Sequence, residues 1–360
     1  MKTELISSRD ALEDFAPTWR QLHAQTQLSP FHSYEWAAAW LRHLGTRGEP
    51  CILTAGSPPT AFLPLFLHKA RGLRIATFIG HGKSDYSGAI YTKDERESLS
   101  ALHERLAQER KRFHAVLLRS LPAPWPVPEP RISPALRLVS RRYDLCPRIE
   151  TGGSFDSYLK TRKKKFRANL KRTERQAAQY PNLAVQQEPC NKDLFQELLA
   201  VERESWKWQR GLSMLRDPAT HAFLYEISTS VDFSTELWTC RSDGLLIAFA
   251  LVLRDTGTRY YYLPSFRISY PDSGTFLLSQ IVRATFEENI HCFDFLQGDE
   301  SYKLSWATQS KMVYESLLAP RNPLGSSAFC AFRARWWAAR SKPLQKWNAA
   351  VRSKLQNWKS

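Results

Sequence analysis

Apolar positions change their period along the chain, and the changes mark out the elements. A spacing of three and four places a helix at Ser33–Arg42, and apolar runs place strands near Ile52, at Phe62–His68 and at Leu73–Ile79. A helix over Asp94–Arg112 and a strand at Ala115–Arg119 follow. Leu121–Pro130 is proline-rich and reads as an extended linker or edge loop. A short strand near Arg142–Leu145 leads to Thr151-Gly152-Gly153-Ser154, where Ser154 is the expected N-cap of a helix over Phe155–Gln179. This is the expected domain boundary. The second half repeats the mixture: a strand near Leu183–Gln186, helices at Lys192–Trp208 and Ala219–Ser228, and strands at Glu236–Cys240, Leu245–Leu253 and Thr258–Leu263. A polar turn through Ser269–Gly274, a helical pattern from Thr275 to about Glu288 and an alternating strand from Phe293 then complete a βαβ unit. Helices segregated around a largely antiparallel sheet predict an α/β or α+β fold.

Charge alters this picture at two places. The formal net charge is +16. Lys160–Arg175 holds nine basic residues against Glu174 alone, and beyond Glu315 there are nine basic residues and no acidic one. In the helix over Phe155–Gln179, Leu159, Phe166, Leu170, Thr173 and Ala177 form the apolar stripe, so Arg162, Lys163 and Arg167 crowd the other faces. Two readings stay open: a solvated surface helix, or one that lies beside a phosphate-bearing ligand. The tail after Asn322-Pro323-Leu324-Gly325 sets Leu344, Trp347, Val351, Leu355 and Trp358 opposite Lys346, Arg352 and Lys354. Tryptophan opposite lysine and arginine suits an interfacial membrane helix over 329–358 or a helix docked on its own domain.

A length of 360 residues favours two ordinary domains. No run of eighteen apolar residues is present, and the start Met1-Lys2-Thr3-Glu4 lacks a signal-peptide core, so a cytoplasmic protein is expected. The six cysteines are scattered without Cys-x-x-Cys or paired histidine spacing; buried, reduced thiols are expected, and no metal site.

The richest stretch is Phe293-Asp-Phe-Leu-Gln-Gly-Asp-Glu-Ser-Tyr-Lys-Leu-Ser-Trp306, a strand running into a glycine turn crowded with ionisable side chains. Upstream, Ser273, Gly274 and Thr275 open a helix, whose free N–H groups and dipole suit a phosphate; the alternative is a capped helix with Gly274 supplying only a tight backbone. Asp294 reads as a buried structural acid, and His32, His81 and His291 as packing or turn residues.

Pro271-Asp-Ser-Gly-Thr-Phe-Leu-Leu278, Asp294-Phe295, Gly298, Asp299, Tyr302, Lys303 and Trp306 at these spacings resemble the acetyltransferase domain of the CelD/BcsL family, a branch of the GNAT superfamily named for cellulose and exopolysaccharide biosynthesis. Phe31-His32-Ser33, Trp36, Trp40, the basic run from Arg162 and Glu202-Arg-Glu-Ser-Trp206 continue the resemblance over roughly residues 28 to 320. The superfamily's pyrophosphate loop, Arg/Gln-x-x-Gly-x-Gly/Ala, is not intact. The resemblance implies tandem GNAT-like domains, at 1–150 and 151–320, with mixed, largely antiparallel sheets and a basic helical tail at 321–360. It implies an acyl-CoA-dependent N-acyltransferase, with acetyl-CoA the expected donor, acting on an amino sugar or another cell-envelope or exopolysaccharide precursor. Tyr262 and Leu263 would hold the pantetheine and acyl carbonyl, and Ser273, Gly274 and Thr275 the pyrophosphate. Lys303 would stabilise charge, Tyr302 would shape the pocket, and the base would come from Asp299, Glu300 or Glu202. Arg162, Lys163 and Arg167 are the candidates for a substrate phosphate. Two further functions stand beside this one: a FemAB-like transferase using aminoacyl-tRNA, and a nucleic-acid-binding protein without catalysis. An anionic membrane surface is the expected partner of 329–358, which would hold the protein peripherally at the inner face of the membrane.

Overall fold

The computed structural model describes residues 1–92, 94–125 and 133–340. The tail from 341 and the proline-rich residues 126–130 lie outside the described residues, as do most of the positions on which the interfacial reading of the tail rests. The first half contains β1 (Thr3–Ile6), α1 (Arg9–Ala24), α2 (Tyr34–His43), β2 (Gly48–Gly56), β3 (Pro59–Ala70), β4 (Leu73–Phe78), β5 (Ile90–Tyr91), α3 (Glu95–Gln108), β6 (Ala115–Leu121) and β7 (Leu136–Glu150). It is followed by α4 (Phe155–Thr161), α5 (Lys164–Ala177), β8 (Ala184–Gln187), α6 (Lys192–Arg203), α7 (Trp206–Gln209) and α8 (Pro218–Thr229). The chain then forms β9 (Thr235–Ser242), β10 (Leu245–Arg254), β11 (Thr258–Phe266), α9 (Ser273–Glu287), β12 (Cys292–Asp294), α10 (Ser301–Trp306), β13 (Gln309–Pro320) and α11 (Pro323–Arg340).

All the strands share one sheet in the order β1-β2-β3-β4-β6-β13-β7-β12-β11-β10-β9-β8, with β5 beside β3. The order reads symmetrically about β13 and β7. Each half has one parallel pair joined over a helix, β4-α3-β6 and β11-α9-β12, and the other pairings are antiparallel. The two central strands are exchanged: β13, at the end of the second half, pairs with β6, whereas β7 pairs with β12. Each half therefore completes the other's sheet. On one face, α1, α2, α6 and α8 share a core to which Phe62 and Phe66 come from the first half and Phe249 and Tyr260 from the second. On the other face α3 covers the first half and α4, α5 and α9 the second.

Local chemistry accounts for several boundaries. Ser33 Oγ accepts the Trp36 N–H at 3.2 Å and starts α2, and Ser154 Oγ accepts the Ser157 N–H at 3.1 Å, capping α4 as expected. The single helix expected over Phe155–Gln179 is broken at Arg162 and Lys163, which are extended. Phe155 and Tyr158 pack on Phe286 while Phe166 packs edge-on against Trp306, 4.9 Å away, so the two pieces face different partners. The helix expected over Lys192–Trp208 likewise ends at Arg203 and restarts after Ser205. Of the cysteines expected to be buried, Cys330 is exposed and Cys190 half-buried; all six are free thiols. In α11 the buried residues Ala328, Phe329 and Trp336 pack on the central strands, and the Arg141 guanidinium stacks on Trp336 at 4.4 Å. Trp337 is 70% exposed. No helix among the described residues is long and apolar enough to cross a membrane.

Candidate active site

The parallel strands β11 and β12 stay together for only three positions, Thr258↔Cys292, Arg259↔Phe293 and Tyr260↔Asp294. Beyond them the two chains part. Residues after Asp294 remain with β7, where Phe295 N–H donates to Pro147 O and Gly298 N–H to Leu145 O, each at 2.9 Å. Strand β11 remains with β10 but slips register opposite Leu251 and Val252, so Tyr262 bulges out of the ladder. A wedge therefore opens between Leu263–Phe266 and the segment 295–298, with the N-terminus of α9 beyond it. The first half diverges in the same way after Thr77↔Leu117. There its own loop fills the gap: Ser87 N–H donates to Ser120 O at 3.0 Å and Ser120 Oγ to Ser84 O at 3.3 Å. Ser120 and Leu296, the residues that turn each diverging strand, are both left-handed, at φ 63° and 61°.

Ionisable groups from three parts of the chain meet at the mouth of the second wedge. Lys303 is 7% exposed; its Nζ donates to Gln297 O at 2.6 Å and pairs with Glu300 Oε2 at 3.0 Å. Gly298 (φ +124°) makes room for this pair, because a Cβ there would lie 2.8 Å from Lys303 Nζ and closer still to the Glu300 carboxylate. Lys207, half-buried, donates from Nζ to the Pro264 carbonyl of β11 at 2.5 Å; burial lowers its pKa, against the pull of Glu202. Glu202 is fully buried, and neither carboxylate oxygen has a hydrogen-bond partner among the described residues.

The first half supplies the remaining acid, Asp85, which lies in no motif along the chain. Gln297 Nε2 donates to Asp85 O at 2.6 Å and to Ser120 Oγ at 2.8 Å, and Tyr262 Oη donates to Lys83 O at 3.0 Å. These bonds clamp the loop after β4 onto the wedge. Asp85, His81, Arg119, Tyr143 and Gln297 line a cavity of about 120 Å³. Burial raises the Asp85 carboxyl to about 7, with the Lys303 ammonium opposing. Desolvation pushes His81 down to about 4, leaving it neutral near pH 7. The signal in the sequence was the loop Gly80-His-Gly-Lys-Ser-Asp85, with both glycines at positive φ, but only pairing across the halves shows what it faces.

The expected site residues divide. Lys303 and Glu202 stand at the wedge. Tyr302 is 43% exposed with its ring edge-on to Phe295, and Asp299 is exposed on the turn. The side chains of Tyr262 and Leu263 point into the shared core, so the backbone is what they offer a donor. Ser273 is fully buried and its Oγ donates to Tyr270 O at 2.7 Å, so its hydroxyl is committed to the turn. Gly274 lies against Phe266, whose ring would be 2.6 Å from an added Cβ. A β-branched residue there would therefore disturb packing as well as any phosphate site. Thr275 is exposed. Of the basic candidates, Arg162 donates to Ala307 O at 2.6 Å and Arg167 to Lys160 O at 3.0 Å, while Lys163 is exposed at the start of α5. Asp294 is the buried structural acid expected, accepting the Tyr86 hydroxyl at 2.7 Å.

The sequence model of the acetyltransferase (GNAT) domain matches residues 164–304, which span the wedge and α9. The chain is an acyltransferase of GNAT fold. Solved structures that resemble it include FemX, at 10% identity and TM-score 0.58 over 87% of this chain and 97% of that one. A conserved protein of unknown function from Bacteroides thetaiotaomicron aligns at 13% identity and TM-score 0.57, over 88% and 100% of the two chains. The C-terminal domain of a putative lysylphosphatidylglycerol synthetase from Agrobacterium fabrum aligns at 14% identity and TM-score 0.54, over 90% and 96%. At these identities the likeness is one of fold. No curated protein matches the chain.

Proposed function

We propose that the protein transfers an acyl group from a CoA thioester, with acetyl-CoA the expected donor, to the amine of an amino sugar or related envelope or exopolysaccharide precursor, as the CelD/BcsL resemblance suggests. The observation that carries this reading is the wedge between β11 and β12, which has a helix start at one end and a buried lysine at the other. The edge of β11 beyond Tyr260 offers backbone groups to the pantetheine arm, once Lys207 releases the Pro264 carbonyl. The amides of Gly274 and Thr275 at the start of α9 offer donors to the pyrophosphate. Lys303 has three N–H groups, two of them engaged by Gln297 and Glu300, which leaves one for the developing oxyanion. Among the acids, Asp299 is exposed and Glu202 is sealed from solvent, whereas Asp85 lines a cavity beside Lys303 and is poised near neutrality. We therefore assign the base to Asp85, with Tyr302 at the rim. Isothermal titration of the full chain with acetyl-CoA should give one site per chain, because the first wedge is filled by its own loop. Two equivalent sites, or none, would overturn this arrangement.

A second reading, aminoacyl transfer from tRNA, is favoured by one observation. The first turn of α5 holds Lys164 and Lys165 next to Lys163 and no acidic residue, although the helix dipole disfavours cations at that end. The same titration separates the two readings.

For location, we propose a cytoplasmic protein held peripherally at an anionic membrane through its basic C-terminal segment. Exposed Trp337, among Arg333 and Arg335, supports this. Full-length protein should float with anionic vesicles and release as salt rises. Equal flotation of a chain truncated after Pro320 would remove the tail from that role.

A further inference from the structure

A second, larger cavity of about 920 Å³ lies between the halves, on the far side of the loop that carries Asp85. Resting on the acyl-transfer reading above, we propose that this cavity binds the carbohydrate body of the acceptor: an amino-sugar oligosaccharide of roughly two or three rings, free of phosphate.

The charge of the lining decides the ligand class. Glu95, Glu150, Asp255 and Asp294 face only two cations, Arg148 and Lys311, among the described lining residues. Glu150 is paired with Arg148 at 2.8 Å, and Asp255 and Asp294 accept from Tyr260 Oη, Tyr86 Oη and backbone amides, so it is the net negative charge of the lining, with Glu95, that disfavours a phosphorylated ligand and suits ammonium groups. The walls include the aromatic residues Trp125 and Tyr260, which are 4% and 6% exposed. The Trp125 indole N–H has no hydrogen-bond partner among the described residues, an unmet donor at the cavity wall. His32, buried and held by Ser29 through Nδ1, turns Nε2 toward Gly88 in the same wall. Desolvation keeps that imidazole neutral, with a pKa of about 3, so it offers a hydrogen bond without adding charge.

Position links the cavity to the chemistry. Asp85 and Tyr86 are consecutive: Asp85 lines the small cavity beside Lys303, while Tyr86 lines the large one and donates to Asp294. Ser87 lines both. An oligosaccharide lying in the large cavity would present its terminal amine to Asp85 once the 3.0 Å contact between the Ser87 amide and Ser120 O opens.

Gly88 provides the test. It belongs to the wall, its φ is ordinary, and an added Cβ would meet only His32 Nε2 at 3.7 Å, so a side chain can start from this position without a clash at its Cβ. The full-length protein is titrated with glucosamine trisaccharide and, separately, with acetyl-CoA. The wild type is expected to bind both, and Gly88→Phe to lose about tenfold or more in trisaccharide affinity with acetyl-CoA affinity unchanged. Glu150→Gln, on the exposed rim, is expected to weaken trisaccharide binding about threefold and serves as the readout if Gly88→Phe does not fold. Trisaccharide affinity equal to wild type in the folded Gly88→Phe chain, or in Glu150→Gln where that chain is the readout, overturns the assignment. So does a wild type that binds acetyl-CoA but not the trisaccharide. A wild type that binds the trisaccharide but not acetyl-CoA instead overturns the acyl-transfer reading and leaves the cavity standing.

Discussion

Replacing Asp85 by Asn is expected to lower turnover roughly 10²- to 10⁴-fold, the range for loss of a positioned general base. The acceptor amine must shed a proton as the acyl group arrives, and the Asp85 carboxyl, raised to about 7 by burial, lies within electrostatic reach of the Lys303 ammonium. The base is the ionised form. Wild-type kcat/KM for the acceptor should therefore rise with pH to a plateau above about 7 and fall about tenfold per unit below it, whereas the Asn variant should lack that limb. Stability provides the control. The folded pKa lies above the ordinary 3.8, so the folded chain holds the proton more tightly and loses stability as pH rises from about 4 to 7. Asn stays neutral throughout, so the variant should melt no lower than wild type at pH 8. A variant with full turnover and an unchanged pH profile would return Asp85 to a structural part in the loop.

Lys303→Ala is expected to lower kcat on the order of a hundredfold while leaving KM for the acyl donor nearly unchanged, because the ammonium acts on charge that develops only in the transition state. The side chain also bonds the Gln297 carbonyl and Glu300, so truncation leaves a partly buried acceptor unmet and should cost about 1–3 kcal/mol of stability. Lys303→Arg separates the effects: it keeps the charge and a donor for Gln297, but a planar guanidinium cannot occupy the space against Gly298 that the ammonium fills. Partial recovery of stability without recovery of kcat would fit the assignment. If Lys303→Ala turned over at the wild-type rate, the ion pair with Glu300 would be its whole role.

Several elements were legible because their signals are local. The strands β2, β3, β10 and β11 are unbroken apolar runs, α2 and α4 carry serine caps, and the βαβ unit at β11-α9-β12 follows from a change of period between two strands. Others escaped for equally physical reasons. Strand β13, through Gln309, Ser310 and Lys311, is too polar to announce itself and is fixed by pairing with β7 along its length. The segment Ser301–Trp306 reads as a polar turn, yet it closes into α10 where Lys303 and Trp306 become buried. The break at Arg162 exists because guanidinium and ring contacts outweigh helix continuity.

The sequence by itself determined the class of fold and the wedge-forming unit and singled out Lys303 as a candidate, since period, turn chemistry and motif order are properties of neighbouring residues. Tertiary structure decided the rest. Exchange of β7 and β13 brings a loop near residue 85 against a turn near residue 300, and it is that approach which makes Asp85 an acid poised near neutrality. A pKa, a shared cavity and the commitment of Ser273 or Arg162 to a carbonyl all depend on what lies across space, and spacing along the chain does not encode that.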